Sequence, residues 1–197
     1  MLTLAFDTAT SVATSALVRD GELVGERVSR AVRVLADADE LLEQAGTEPA
    51  ELNGVVVGTG PGSFTGVRMG LAAARALAFA LELPLAGVST LDALAAGASG
   101  ALPVVDAGRS EIFTLVDGEP AVLRPARLSL EPGTTCVGDG AVRYRDELEA
   151  LGAKVPPRES ELHVPRAQFH ARLARAYVDP DAVEPLYLRQ PDAERKR

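Results

Sequence analysis

Tryptophan is absent, and aromatic residues make up only 4% of the 197 positions. Leu, Val and Ala must therefore build the core, and an apolar content of 47% is enough for one. A single cysteine, Cys136, excludes an internal disulfide. Its place in the strand-like run Thr134-Thr135-Cys136-Val137-Gly138 suits a buried, inert thiol. Histidine is nearly as scarce. His163 and His170 form neither a His-x-x-x-His pair nor a His-Glu-x-x-His motif, so no metal site is expected. Basic residues number 20 against 28 acidic ones, giving a net charge of −8. Such a chain binds nucleic-acid phosphates poorly by itself, and a partner would have to supply the positive surface. The short basic run Arg195-Lys196-Arg197 does not reverse that balance. No apolar run is long enough to span a bilayer, since the stretch 70–81 is interrupted by Arg75. Residues 1–7 lack a basic leader and meet an acid at once, so a signal peptide is not expected. A reducing, cytoplasmic setting is expected instead.

What is present reads as alternating strands and helices. Residues 2–6, 12–18 and 22–32 form three strands in a meander, with Asp7-Thr8-Ala9-Thr10-Ser11 at the first turn and Asp20-Gly21 at the second. Val34, Leu35, Ala38, Leu41, Leu42 and Ala45 fall at helical spacing, and Gly46 suits the C-terminal cap. A short strand at 55–57 leads into Gly58-Thr59-Gly60-Pro61-Gly62-Ser63-Phe64-Thr65-Gly66-Val67-Arg68-Met69-Gly70, and a helix follows over 71–81. A strand at 84–88 and a helix from Ser89 to about Ala98 complete the first half. The second half starts in the same way. Residues 102–106 end in Asp106, Ala107-Gly108-Arg109-Ser110 turns, and a strand at 111–116 meets Asp117-Gly118. The shared strand, Asp, small-residue turn, strand and Asp-Gly suggest an internal duplication. Chance similarity of two strand–turn–strand units is the alternative. The expected lobes are 1–99 and 100–197, and the second also carries helices near 143–151 and 165–177. The latter helix turns Phe169, Leu173 and Ala176 inward.

Two places could carry chemistry. Asp7, at a strand end beside Thr8, Thr10 and Ser11, could hold a hydrated Mg²⁺ next to nucleotide phosphates. A carboxylate that closes its own turn explains the same residues more simply. The glycine-rich stretch lacks the Gly-Lys-Ser/Thr ending of a P-loop and the glycine spacing of a dinucleotide site. Ser63 sits in no Gly-x-Ser-x-Gly elbow, and no base accompanies it, so hydrolase chemistry is poorly supported. The helix that follows is rich in Gly and Ala, which suits close packing in a core or at an interface.

Together, Phe6-Asp7-Thr8-Ala9-Thr10, Gly60 to Gly70, Val105-Asp106-Ala107-Gly108-Arg109 and Pro185-Leu186-Tyr187-Leu188-Arg189 resemble the TsaB (YeaZ) family over essentially the whole chain. The resemblance implies an α/β fold of the actin/Hsp70/sugar-kinase (ASKHA) type, with two related lobes, the second degenerate. It implies a non-catalytic subunit that binds and activates TsaD, which transfers threonylcarbamoyl to the adenosine following the tRNA anticodon. TsaD carries metal-binding histidines that this chain lacks. A small ATPase, TsaE, would join the pair, and tRNA would be met through the complex. Homodimerisation in isolation stays open. By position, the partner surface would use Leu35, Ala38, Leu41, Leu42 and Ala45 from the first helix. From the second it would use Ser63, Val67, Arg68, Gly70, Leu71, Ala74, Leu77 and Ala78. No cofactor is intrinsic to the expectation, but ATP or ADP with Mg²⁺ could sit near the partner interface, reached by Asp7, Thr8, Thr10 and Asp106. An autonomous ATPase or phosphotransferase using Asp7 is the alternative. One departure is clear: the His-Ser that family members often carry before the first helix is missing from Ser29-Arg30-Ala31-Val32-Arg33-Val34.

Overall fold

The computed structural model describes residues 1–189, and the basic run at 195–197 lies outside the described residues. The first strand, β1 (Leu2–Asp7), is buried along its whole length. A strand covered on both faces needs no polar alternation, which is why its sequence reads as a nearly continuous apolar run. β1 pairs antiparallel with β2 (Ala13–Arg19), and β2 pairs antiparallel with β3 (Glu22–Ser29). After α1 (Val34–Gln44), β4 (Gly54–Gly58) pairs parallel with β1. Next come α2 (Phe64–Ala80), β5 (Leu85–Val88) and α3 (Thr90–Gly97), closing a sheet of order β3-β2-β1-β4-β5. The chain then forms β6 (Leu102–Gly108), β7 (Glu111–Val116), β8 (Glu119–Leu123) and β9 (Cys136–Val137), in the order β8-β7-β6-β9.

The two sheets repeat one connectivity. In each, the first strand is antiparallel to the second, the second to the third, and a fourth returns parallel to the first. Chance likeness of two hairpins would not extend to the placement of the fourth strand, so the duplication read from the sequence is structural. The short helices α4 (Asp139–Arg143) and α5 (Arg145–Ala150) pack on the second sheet around Val104, Ile112 and Leu148. Cys136 belongs to that core. Burial pushes its thiol up to about 11, which leaves it protonated and unreactive near neutrality.

The last helix, α6 (Ala167–Leu173), does not stay with the second sheet. It lies across the first, where Ala167 packs with Ala5, Ala16, Val18 and Val56. On the opposite face, α1 and α2 enclose Leu4, Phe6, Leu17, Val55 and Val57. The helix is shorter than the pattern over 165–177 predicts, and Ala176 is exposed, because Val178 leaves to form a bridge with Leu85. Val183 then enters the core of the first sheet, and Leu188 packs with Leu91, Leu94 and Phe113. A boundary at 99/100 separates the sheets in sequence, yet it assigns α6 to the half on which it does not pack. No helix among the described residues is long and apolar enough to cross a membrane.

Helix α2 starts at Phe64, seven residues earlier than expected, because the Ser63 hydroxyl accepts the Gly66 N–H and caps it. Gly66 and Gly70 are therefore helical, and their purpose is close approach. A Cβ on Gly66 would fall on the Thr8 carbonyl oxygen, and one on Gly62 on the Ala9 carbonyl oxygen, both well inside contact distance. The Ser63 N–H donates to the Ala9 carbonyl at 2.7 Å, and the Thr8 hydroxyl donates to the Gly66 carbonyl at 2.7 Å. The glycine-rich stretch thus clamps the β1–β2 turn. Gly66→Ala should lower stability by about 2 kcal/mol in urea denaturation, although alanine is the better helix former by about 1 kcal/mol. A stabilised variant would show that this packing is misassigned.

Candidate functional site

Asp7 ends β1 and is completely buried. The Ala9 N–H donates to its Oδ1 at 2.6 Å, and the Thr90 hydroxyl donates to Oδ2 at 2.7 Å. Nε2 of His170, equally buried, lies 2.7 Å from Oδ2. That approach lies off the hydrogen-bond axis of the ring nitrogen, so charge rather than directional bonding dominates it. Burial alone would raise the carboxyl pKa. The charge and polar contact of His170, with the bonds from Thr90 and Ala9, outweigh burial and hold it below the ordinary carboxylate value. The centre joins β1, α3 and α6, elements from the two ends of the chain.

This arrangement does not fit a Mg²⁺-bound nucleotide at Asp7. Both oxygens are engaged inside the protein, and the turn that bears them is covered by α2. Thr8 is spent on Gly66, and Thr10 donates to the Val12 carbonyl at 3.1 Å. Asp106, the counterpart of Asp7 in the second repeat, is less enclosed. Its Oδ2 pairs with Arg143 at 2.7 Å, while Oδ1 accepts from the Gly108 N–H at 2.9 Å and the Tyr144 hydroxyl at 3.2 Å. Of the four residues expected at a nucleotide, Asp7 and Thr8 are therefore spent inside the protein, whereas Thr10 and Asp106 line one cavity. Among the described residues, no three His, Cys, Asp or Glu side chains gather as a metal-binding group. Sequence reasoning missed His170 as the partner of Asp7. Its spacing from Ala167, Ala171 and Ala174 marks the buried face of α6, but nothing local names the strand it meets. His163 is structural, with Nδ1 accepting the Gly138 N–H at 3.1 Å.

Two cavities flank Asp106. One of about 910 Å³ lies between Thr10 and Ser11 of the β1–β2 turn and Asp139, Arg143, Arg158 and Arg166. Burial raises the pKa of Asp139 there. The other, about 420 Å³, lies between the first turn of α2, β6 and residues 186–189.

The expected partner residues divide sharply. Ala38, Leu41 and Leu42 of α1, and Val67, Gly70, Leu71, Ala74 and Ala78 of α2, are buried against the chain's own sheet. Their helical stripe is the core stripe, and it cannot also face a partner. Ala45 and Leu77 are half-buried against the same core. Leu35, Ser63 and Arg68 alone of that set are exposed. The exposed apolar residues are instead Val32, just before α1, Leu35 of α1, and Met69, Ala72, Ala76 and Phe79 of α2, with Asp39, Glu43, Thr65 and Arg68 also exposed on the two helices.

Asp7→Asn should cost about 3–5 kcal/mol in chemical denaturation, because it removes a buried carboxylate on which the Ala9 N–H, the Thr90 hydroxyl and the His170 ring converge. The sign of the pH effect follows from the depressed carboxyl. Its stabilisation is complete above the unfolded value near 3.8 and is lost as pH falls through the lower folded value. The acid limb of the stability profile should therefore be flatter in Asp7→Asn than in the parent chain, and an unchanged limb would refute the assignment.

Residues 20–129, more than half of the chain, match the family model described as "TsaD: tRNA N6-adenosine threonylcarbamoyltransferase". An uncharacterised Mycobacterium tuberculosis protein is 38% identical over 96% of this chain and 92% of its own length. The Escherichia coli tRNA threonylcarbamoyladenosine biosynthesis protein TsaB is 40% identical over 57% of this chain and 53% of its own. Its aligned part is thus about half of each protein. YeaZ from Pseudomonas aeruginosa superimposes with a TM-score of 0.76 at 27% identity, over 95% of this chain and 99% of that one. The repeated β8-β7-β6-β9 and β3-β2-β1-β4 connectivity is that of the ASKHA fold. In sequence over rather more than half of its length, and in fold over 95% of it, the chain belongs to the TsaB (YeaZ) family, and residues 20–129 match the TsaD model.

Proposed function

We propose that this chain serves tRNA threonylcarbamoyladenosine biosynthesis as a non-catalytic subunit that binds and supports a TsaD chain. The observation that carries the reading is the group of exposed apolar side chains along α2 and at the start of α1. Phe79 is 83% exposed and Val32 79%, and Leu35, Met69, Ala72 and Ala76 accompany them. Small side chains along α2 allow a second helix to approach closely, and Phe79 offers an aromatic anchor at its end. The closed Asp7 centre supports the second part of the reading. An autonomous ATPase or phosphotransferase would need that carboxylate open to Mg²⁺, and here it is a structural charge.

In this proposal TsaE joins the assembled pair in the cytoplasm. The tRNA is reached through the complex, as the acidic balance of the chain favours. Any ATP or ADP belongs to the partner's side rather than to Asp7. In isolation, a second copy of the chain would cover the same face.

The purified chain should show neither threonylcarbamoyl transfer nor ATP turnover, and should restore transfer when TsaD, TsaE, tRNA and the threonylcarbamoyl donor are supplied. Phe79→Glu and Ala76→Glu should abolish co-elution with TsaD on a sizing column while leaving the melting temperature unchanged. Leu41→Glu and Ala74→Glu should unfold the chain instead, because those side chains lie in the core. Intact co-elution of Phe79→Glu would assign the partner to another surface.

A further inference from the structure

The 420 Å³ cavity between the two sheets has no role in the subunit reading. Its walls come from three distant parts of the chain and are apolar and aromatic, with Phe64, Phe113, Leu186, Tyr187 and Leu188 among them. Its volume falls in the range of small-molecule pockets, about 300–1,000 Å³. The charged groups that line it are already matched inside the protein. Asp106 is paired with Arg143 at 2.7 Å, and Arg189 with Glu111 at 2.8 Å.

Arg68 does not line the cavity but lies against two rings that do, and it is matched differently. Its guanidinium stacks 3.8 Å from the centre of the Phe64 ring, and its Nε donates to the Tyr187 hydroxyl at 2.9 Å. The Phe64 and Tyr187 rings lie 5.4 Å apart, so the arginine is oriented by two aromatic neighbours that both line the cavity. It has no acidic partner among the described residues, and its side chain is exposed. The contacts use Nε and one face of the guanidinium, which leaves the terminal amino groups as donors. An arginine held flat on an aromatic ring has already lost much of its rotamer freedom, so binding an anion costs little further ordering. Charge-assisted, bidentate bonds to phosphate or carboxylate are its strongest interaction. The adjoining apolar cavity then takes the body that carries the anion, and its aromatic walls favour a flat ring.

We infer that this cavity binds a small planar aromatic molecule bearing one anionic group, phosphate or carboxylate, with the ring inside and the anion on Arg68. The inference requires no chemistry from Asp7. Calorimetric titration of the full chain with phenyl phosphate tests it. One saturable site is expected, and Arg68→Met should weaken it at least roughly tenfold, the scale of a hydrogen bond to a charged group. Phe64→Ala should weaken it too, and Tyr187→Phe, which frees Nε, should have a smaller effect. All three side chains are exposed, and circular dichroism will confirm that each variant is folded. Benzyl alcohol, which lacks the anion, should bind at least roughly tenfold more weakly than phenyl phosphate. Tighter binding of AMP would identify a nucleoside monophosphate as the source of the ring and anion, and tighter binding of phenylacetate an aromatic acid. The absence of saturable binding with all three anions would overturn the inference. So would affinity for phenyl phosphate that is unchanged in Arg68→Met or equalled by benzyl alcohol.

Discussion

The buried contact between Asp7 and His170 is the constraint around which this molecule is arranged. A carboxylate with no exposed surface can stay ionised only if fixed donors and a counter-charge replace the water it has lost. Thr90 supplies one donor from α3, the turn backbone supplies another through Ala9, and α6 supplies the imidazole. Each must be in place for the charge to be tolerable. The pair therefore selects one placement of α6, on the first sheet and away from the second. The polypeptide following α6 inherits that placement, which is why Val183 and Leu188 enter cores on different sheets.

The glycine-rich stretch acts on the same turn from the other side. By letting α2 approach the carbonyls of Thr8 and Ala9, it covers the end of β1 at Asp7, while Thr10 and Ser11 on the other side of the turn border the larger cavity. Two features that look like chemistry in the sequence, an Asp at a strand end and a run of glycines, thus account for each other. The glycines make room for the Asp-bearing turn, and the turn supplies the carbonyls and hydroxyl that fasten the helix. The counterpart turn at Asp106 lacks this cover, and both cavities border it. The two repeats have kept one connectivity while diverging in what their aspartates do.

The division of α1 and α2 into a core face and an outward face has a similar logic. Beyond Thr65, Arg68 and Arg75, both sides of α2 are built from small or apolar residues, so composition distinguishes them poorly. The sheet claims the side on which Val67, Leu71, Ala74 and Ala78 lie, because Phe6, Val55 and Val57 stand opposite them. What remains is a shallow strip of alanine ending in Phe79.

Local periodicity in the amino-acid sequence determined the strands and helices of the first half, the duplicated strand–turn–strand units and the character of the core. These depend on side chains that alternate every two residues or recur every three to four, and such patterns are visible over short windows. The motifs from Phe6 to Arg189 also carried the family. Only the tertiary structure decided that α6 crosses to the first sheet, that Asp7 faces His170, and that Leu41 and Ala74 point inward while Phe79 points out. Those outcomes depend on which surfaces meet across the whole chain. No window of sequence contains both partners of a buried contact between residues 7 and 170.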